Sequence, residues 1–315
     1  MKTDSLEQVT INSSKQWILV RGKDSTAPLI IHVQAGPGLP IIPEANAMEK
    51  LLHLEEDFLV AYWDQRNCGK SYNKETDPAS INFSQLRDDL ISCTKYLLKK
   101  FDKAKAIIIG YSIGASIAIM AAEKEGSLYD SLFLVGMDID VPYANEFAME
   151  FAIAKAQEKN NAKLLQKARQ LSGVVITNAK LFQQRARLIT DLGGIKMGSS
   201  YNQLQFSTVT NMLFSKAYRL RDISKTIEGM EECQNRLLPE LNELNLFKRV
   251  ARVEVPVHFI QGKKDVVAPF VVALKYYEFL QAETKTFTCF DHSAHTPHYD
   301  EPNKFANLLR SKVKL

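Results

Sequence analysis

Ala106-Ile107-Ile108-Ile109-Gly110-Tyr111-Ser112-Ile113-Gly114-Ala115 is the stretch that decides the fold. The β-branched run before Gly110 reads as a buried strand, and the small-residue run from Ala115 to Ala122 reads as a helix. Between them stands Gly-x-Ser-x-Gly. A serine on a sharp strand-to-helix turn exposes its Oγ, and glycines flank it because backbone segments there approach too closely for larger side chains. Five letters alone are only suggestive; their placement between a strand and a helix makes Ser112 a candidate catalytic nucleophile.

Outward from this turn, strands and helices alternate. Gln16–Val20, Leu29–Val33 and Phe58–Tyr62 read as strands before it, and Phe83–Phe101 has helical spacing. After it come a strand over Ser131–Val135, then Val255–Gln261, a helix Phe270–Leu280, a strand Thr284–Phe290 and a last helix Asn303–Lys312. Short apolar strands alternating with helices predict a mostly parallel sheet with helices on both faces. The rhythm breaks from Pro142 to about Val250, where Ala, Gln, Lys, Arg, Glu and Leu recur at helical spacing. Residues 1–140 and 251–315 are therefore expected to form one α/β core, and 141–250 a helical cap inserted into it.

The chain has 315 residues, 45% hydrophobic and 24% charged, as in an ordinary globular protein. A net charge of +4, spread along the sequence, gives no footprint for nucleic acid or a membrane surface. Met1–Ser14 is polar and has no apolar leader segment. Residues 106–122 lack charge, but a buried strand and helix explain them better than a membrane span. The four cysteines, Cys68, Cys93, Cys233 and Cys289, show neither zinc-ligand nor disulfide spacing, and a cytoplasmic setting is expected.

A serine nucleophile needs a base and an acid, which in this topology follow it in the order Ser, acid, His. Each should stand just after a strand, where loops converge at one end of a parallel sheet. Asp265 follows the Val257–Gln261 run and is the preferred acid; Asp138, after Leu132–Val135, is the alternative. Three histidines, His292, His295 and His298, follow the last strand at a spacing of three. Pro297 among them argues against a metal-binding face, and His295 is the expected base, with His292 and His298 as loop or surface residues. His295 would take the Ser112 proton while Asp265 fixes the imidazole tautomer. The oxyanion would be held by the N–H of Ile113 and by an N–H from the early Gln34-Ala35-Gly36-Pro37-Gly38 loop, assigned to Gly36 because Pro37 has none. All the chemistry is supplied by the chain, so no cofactor and no metal is expected.

With these residues in place the chain resembles the α/β-hydrolase superfamily and, within it, the proline iminopeptidase-like branch. Gln34-Ala35-Gly36-Pro37-Gly38 is similar to the branch's His-Gly-Gly-Pro-Gly loop. Trp63-Asp64-Gln65-Arg66-Asn67-Cys68-Gly69-Lys70-Ser71 is similar to its Asp-Gln-Arg-Gly-x-Gly-x-Ser loop, and Ser293–Pro297 with Glu301-Pro302 to its histidine segment. The resemblance covers residues 15–140 and 250–312. It departs at Gln34, which replaces His, at Asn67, which replaces Gly, and at Ile113, where iminopeptidases usually carry Trp.

The resemblance implies an aminopeptidase that releases N-terminal proline or another small residue from short peptides. It also implies cap carboxylates around the substrate's α-ammonium, with Glu146, Glu150, Glu228, Glu231 and Glu232 as candidates. The same machinery with no amine site would be a small-molecule esterase or amidase, to which the apolar Phe147, Phe151, Phe206, Met212 and Phe214 are suited. A non-catalytic receptor on this fold would have no need of all three triad residues.

Overall fold

The computed structural model describes residues 1–313. An eight-stranded sheet runs in the order β1-β2-β4-β3-β5-β6-β7-β8. Its strands are β1 (Thr3–Ile11), β2 (Ser14–Gly22), β3 (Leu29–Val33), β4 (Leu59–Asp64), β5 (Ala106–Tyr111), β6 (Tyr129–Val135), β7 (Val257–Gly262) and β8 (Lys285–Phe290). β2 is antiparallel to both neighbours, and every pairing from β4 across to β8 is parallel.

Alternation along each strand builds two cores. In β5, Ile108 faces a layer with α2 (Phe83–Phe101), α3 (Ile113–Glu125) and α9 (Phe270–Phe279). Ile107 and Ile109 face the opposite layer, with α1 (Ala45–Leu52) and α10 (Pro302–Lys312). Both faces are covered, so the central strands read as continuous apolar runs rather than alternating ones.

The expected strands are all present, and β1 is an addition. It joins β2 through Asn12 and Ser13, whose φ values of 44° and 65° give the left-handed two-residue turn that suits a hairpin's twist. The expected helical region consists of α4 (Val141–Glu158), α5 (Ala162–Leu171), α6 (Ala179–Asp191), α7 (Tyr201–Phe214) and α8 (Leu220–Leu241), all between β6 and β7. The uncharged stretch 106–122 is β5, Ser112 and most of α3. Among the described residues no helix is long and apolar enough to cross a membrane.

The Trp63–Ser71 segment is a structural joint. Arg66 donates from Nε and Nη2 to Asp89 of α2 at 2.7 and 2.9 Å, both residues being buried. Gln16 of β2 donates to the same carboxylate at 2.9 Å and accepts from Trp63 Nε1 at 2.8 Å. Asp64 accepts from the N–H groups of Ile41, Ile42 and Lys70, and from the Tyr218 hydroxyl. Lys70 reaches Asp222 of α8 at 2.9 Å. One loop thus locks the hairpin, α2 and the α7–α8 connection together.

Asp89→Ala would strand the Arg66 guanidinium, and breaking a buried pair on one side costs about 3–5 kcal/mol. The expected result is a loss of that order in unfolding free energy by urea titration. A shift below about 1 kcal/mol, the scale of an exposed pair, would contradict the role given to this joint.

Candidate active site

Ser112 stands between β5 and α3 at φ 52° and ψ −122°. A non-glycine residue in this region carries about 1–3 kcal/mol of strain, tolerated where the surroundings enforce it. Here the Ser112 N–H bonds Val135 O at 2.9 Å, and α3 starts immediately after. A Cβ at position 114 would stand 2.3 Å from Gln34 O and 2.4 Å from Val33 O, and one at 110 would stand 2.5 Å from Ala115 Cα. The flanking glycines are therefore steric necessities of the turn.

The two candidate acids occupy different places. Asp265, after β7, meets His295 Nδ1 at 2.8 Å through Oδ2. Its Oδ1 accepts from the N–H groups of Val267 and Ala268, each at 2.9 Å, and Gln261 donates to Oδ2 at 3.1 Å. Gly136, at φ +52°, leaves room for the pair: a Cβ there would stand 3.0 Å from His295 Nδ1 and 3.2 Å from Asp265 Oδ2. Burial draws the His295 pKa down, but the charge and hydrogen bond of Asp265, with a contribution from Asp138, leave it above its ordinary value. The His295 N–H is fixed to Ile195 O at 2.8 Å, in the segment between α6 and α7.

Asp138 turns to the nucleophile instead. Ser112 Oγ donates to Asp138 Oδ2 at 3.1 Å, while the Asp138 carbonyl accepts from Ser116 at 2.6 Å. Burial lifts the Asp138 pKa to about 6, against the opposing influence of His295, the Ser112 hydroxyl and Arg185.

Ser112, Asp138 and His295 all line a cavity of about 470 Å³ beneath α4, α6, α7 and α8. Gly36 lines it as well. Ile113 does not: its side chain is buried in the core, beside Gly36. The N–H groups of Gly36 and Ile113 make no backbone hydrogen bond among the described residues, so both remain available as donors. Gln34, the departure from the resembled loop, accepts from Gln65 N–H at 3.2 Å and donates to Cys68 Sγ at 3.0 Å.

Several sequence expectations fall away here. None of Glu146, Glu150, Glu228, Glu231 and Glu232 lines the cavity; Glu232 accepts from Asn67 at 2.8 Å, and the other four are exposed. Their helical positions put them on the solvent side of α4 and α8. Phe147, Phe151, Phe206, Met212 and Phe214 are also absent from the wall, Phe206 and Phe214 being exposed. His292 is exposed as expected, but His298 is buried in the cavity floor against Tyr111 and Tyr299. Burial lowers its pKa to about 3, so its imidazole is neutral.

The charges lining the cavity lay outside the sequence expectations, apart from Asp138. Arg185 of α6 has a buried Nε with no hydrogen-bond partner. Burial lowers its pKa to about 10, partly offset by Asp138. Glu44 accepts from Tyr299 at 2.9 Å and Asn211 at 2.8 Å, and Lys196 lies 4.9 Å over the Tyr299 ring. Among the described residues no group of three or more His, Cys, Asp or Glu is placed to hold a metal ion.

Known proteins share this framework. The family model "Serine aminopeptidase, S33" matches residues 48–302. "Probable aminopeptidase YbaC" of Bacillus subtilis (strain 168) is 28% identical over 305 residues, 96% of this chain and 94% of its own length. A proline iminopeptidase-related protein from Thermus thermophilus superposes with a TM-score of 0.67 at 15% identity, over 98% of this chain and 96% of its own. The proline iminopeptidase of Mycobacterium smegmatis gives 0.65 at 17% identity, over 98% and 97%. The sheet, its glycine-flanked serine turn and these matches agree, and the chain belongs to the S33 serine aminopeptidase family, α/β-hydrolase-fold enzymes of aminopeptidase or esterase type.

Proposed function

We propose that this protein is a serine aminopeptidase that releases an N-terminal proline or another small residue from short peptides through an acyl-enzyme. The observation that carries the reading is the Asp265–His295 pair, 2.8 Å apart, whose His295 lines the same cavity as Ser112. With Nδ1 engaged by Asp265, the neutral imidazole presents Nε2 as the base. Ser112 Oγ attacks the scissile carbonyl as its proton passes to Nε2, and the oxyanion is held by the N–H groups of Gly36 and Ile113. The imidazolium then returns the proton to the departing amine. Water repeats the sequence on the ester and restores Ser112. Helices α4–α8 act as the cap, and the cavity's size restricts substrates to short chains. The names of the Bacillus relative and of the family support the peptidase assignment.

A second reading, hydrolysis of small esters or amides, is favoured by one observation. The wall carries Leu39, Met48, Leu51, Phe182 and Met230, an apolar surface suited to an acyl chain. Part of the chain also matches "Putative esterase/lipase 1" of Mycoplasma genitalium, 27% identical over 103 residues. Initial rates on a prolyl arylamide, an alanyl arylamide and a short-chain p-nitrophenyl ester, with Ser112→Ala as control, separate the two. Ser112-dependent arylamide turnover is the expected result; ester turnover alone would replace the peptidase by an esterase.

A further inference from the structure

A free α-ammonium buried beside Ser112 in this cavity needs an anionic partner, since an unpaired buried charge is costly. Its position is constrained by covalent geometry. The nitrogen lies about 2.5 Å from the scissile carbonyl carbon, and that carbon must come within about 3–3.5 Å of the attacking oxygen. The partner must therefore stand close to Ser112 Oγ.

Four charged side chains besides His295 line the cavity. Arg185 and Lys196 have the wrong sign. Glu44 is tied through Oε2 to Tyr299 and Asn211 and, unlike Asp138, makes no hydrogen bond to Ser112. Asp138 is left. Its Oδ2 is 3.1 Å from Ser112 Oγ, its Oδ1 has no hydrogen-bond partner among the described residues, and Arg185 acts on it through charge without a hydrogen bond among the described residues.

The geometry points to Asp138 as the acceptor of the substrate's α-ammonium, a role that also releases the nucleophile. In the free enzyme the Ser112 hydroxyl donates to Asp138. A substrate ammonium offers a stronger, charge-assisted donor to that carboxylate. With its charge satisfied by the ammonium, the carboxylate holds the Ser112 hydroxyl less strongly, and that hydroxyl rotates to donate to His295 Nε2, the direction attack requires. No bond is made or broken in this exchange: one donor replaces another at Asp138, and the serine proton stays on Oγ until attack. Recognition of the amine and readiness of the nucleophile are then one event. A ligand of the same shape without the amine leaves Ser112 on Asp138.

This inference rests on the aminopeptidase reading, and its test separates the two. The rates to compare are those on L-alanine p-nitroanilide, on propionyl p-nitroanilide, which lacks only the amine, and on p-nitrophenyl propionate. Wild type and the Asp138→Asn and Glu44→Gln variants are assayed together. Truncation of a buried, hydrogen-bonded charge pair predicts that Asp138→Asn lowers kcat/KM on the free-amine anilide about 100-fold relative to the ester. An equal fall on both substrates, or loss of the amine preference in Glu44→Gln rather than Asp138→Asn, would overturn it with the peptidase intact.

A wild-type experiment keeps the inference testable if Asp138→Asn does not fold or if no anilide is turned over. L-Alaninamide should inhibit ester hydrolysis competitively, and propionamide should be at least about tenfold weaker, as the loss of a charge-assisted partner predicts. Equal inhibition by the two would overturn the amine site. Ester turnover alone, with alaninamide still preferred, would remove the peptidase reading while leaving Asp138 as the ammonium acceptor.

Discussion

Ser112→Ala is expected to lower kcat by about 10⁶, the scale seen when a triad nucleophile is removed on its own. The fold should be unaffected. Alanine keeps the Cβ, so the strain at φ 52° is the same in both proteins, and the close approaches at Gly110 and Gly114 are untouched. What disappears is the oxygen and its hydrogen bond to Asp138. The check is twofold: turnover of ester and arylamide, and labelling by a fluorophosphonate, with the thermal midpoint measured alongside. Retained labelling would mean that another residue is the nucleophile.

The second large effect belongs to Asp265. Asp265→Asn is expected to cost about 10⁴ in kcat, as in triads where the acid becomes an amide. The hydrogen bonds say why. Val267 and Ala268 both donate to Oδ1, so an asparagine oxygen stays there and its NH₂ faces His295 Nδ1. The imidazole must then accept at Nδ1 and carry its proton on Nε2, where it cannot take one from Ser112. Asp138 cannot substitute, because its carboxylate meets Ser112.

The pH profile supplies an independent sign. In the proposed mechanism His295 works neutral, and its pKa is raised by Asp265 against the effect of burial. Activity should therefore rise with pH through a midpoint above the ordinary imidazole value of about 6.5. In Asp265→Asn the residual activity should show that limb displaced downward, because the stabilising charge is gone. An unmoved limb would assign it to another group.

Much of this was legible in the sequence because it is local. β-branched runs define the parallel strands, and Gly-x-Ser-x-Gly defines the turn, where Gly110 meets backbone of the turn itself and Gly114 meets backbone of the neighbouring β3 end. The pairing of Asp265 with His295 could be anticipated because a parallel sheet gathers the residues that follow its strands. β1 was hidden because its residues alternate between partial and full exposure, so its apolar side chains form no run. The inward charges were hidden for a different reason. Arg185 and the exposed Arg187 lie on the same helix, and only the docking of α6 turns one of them towards Asp138. The five glutamates of α4 and α8 show the converse, since helical spacing says which residues share a face but not which face is covered. Gly136 was legible only as a turn; its duty of making room for Asp265 and His295 requires three strands to be in place.

The Trp63–Ser71 loop has a consequence for tracing descent. Its side chains are spent on Asp89, Gln16, Tyr218 and Asp222, and Trp63, Asp64 and Arg66 do not reach the cavity wall. A daughter lineage that lost Ser112 would still need this loop to hold its hairpin, α2 and the α7–α8 connection together. Such a loop marks ancestry. Inheritance of the proposed chemistry has to be judged at Ser112, Asp138, Asp265 and His295.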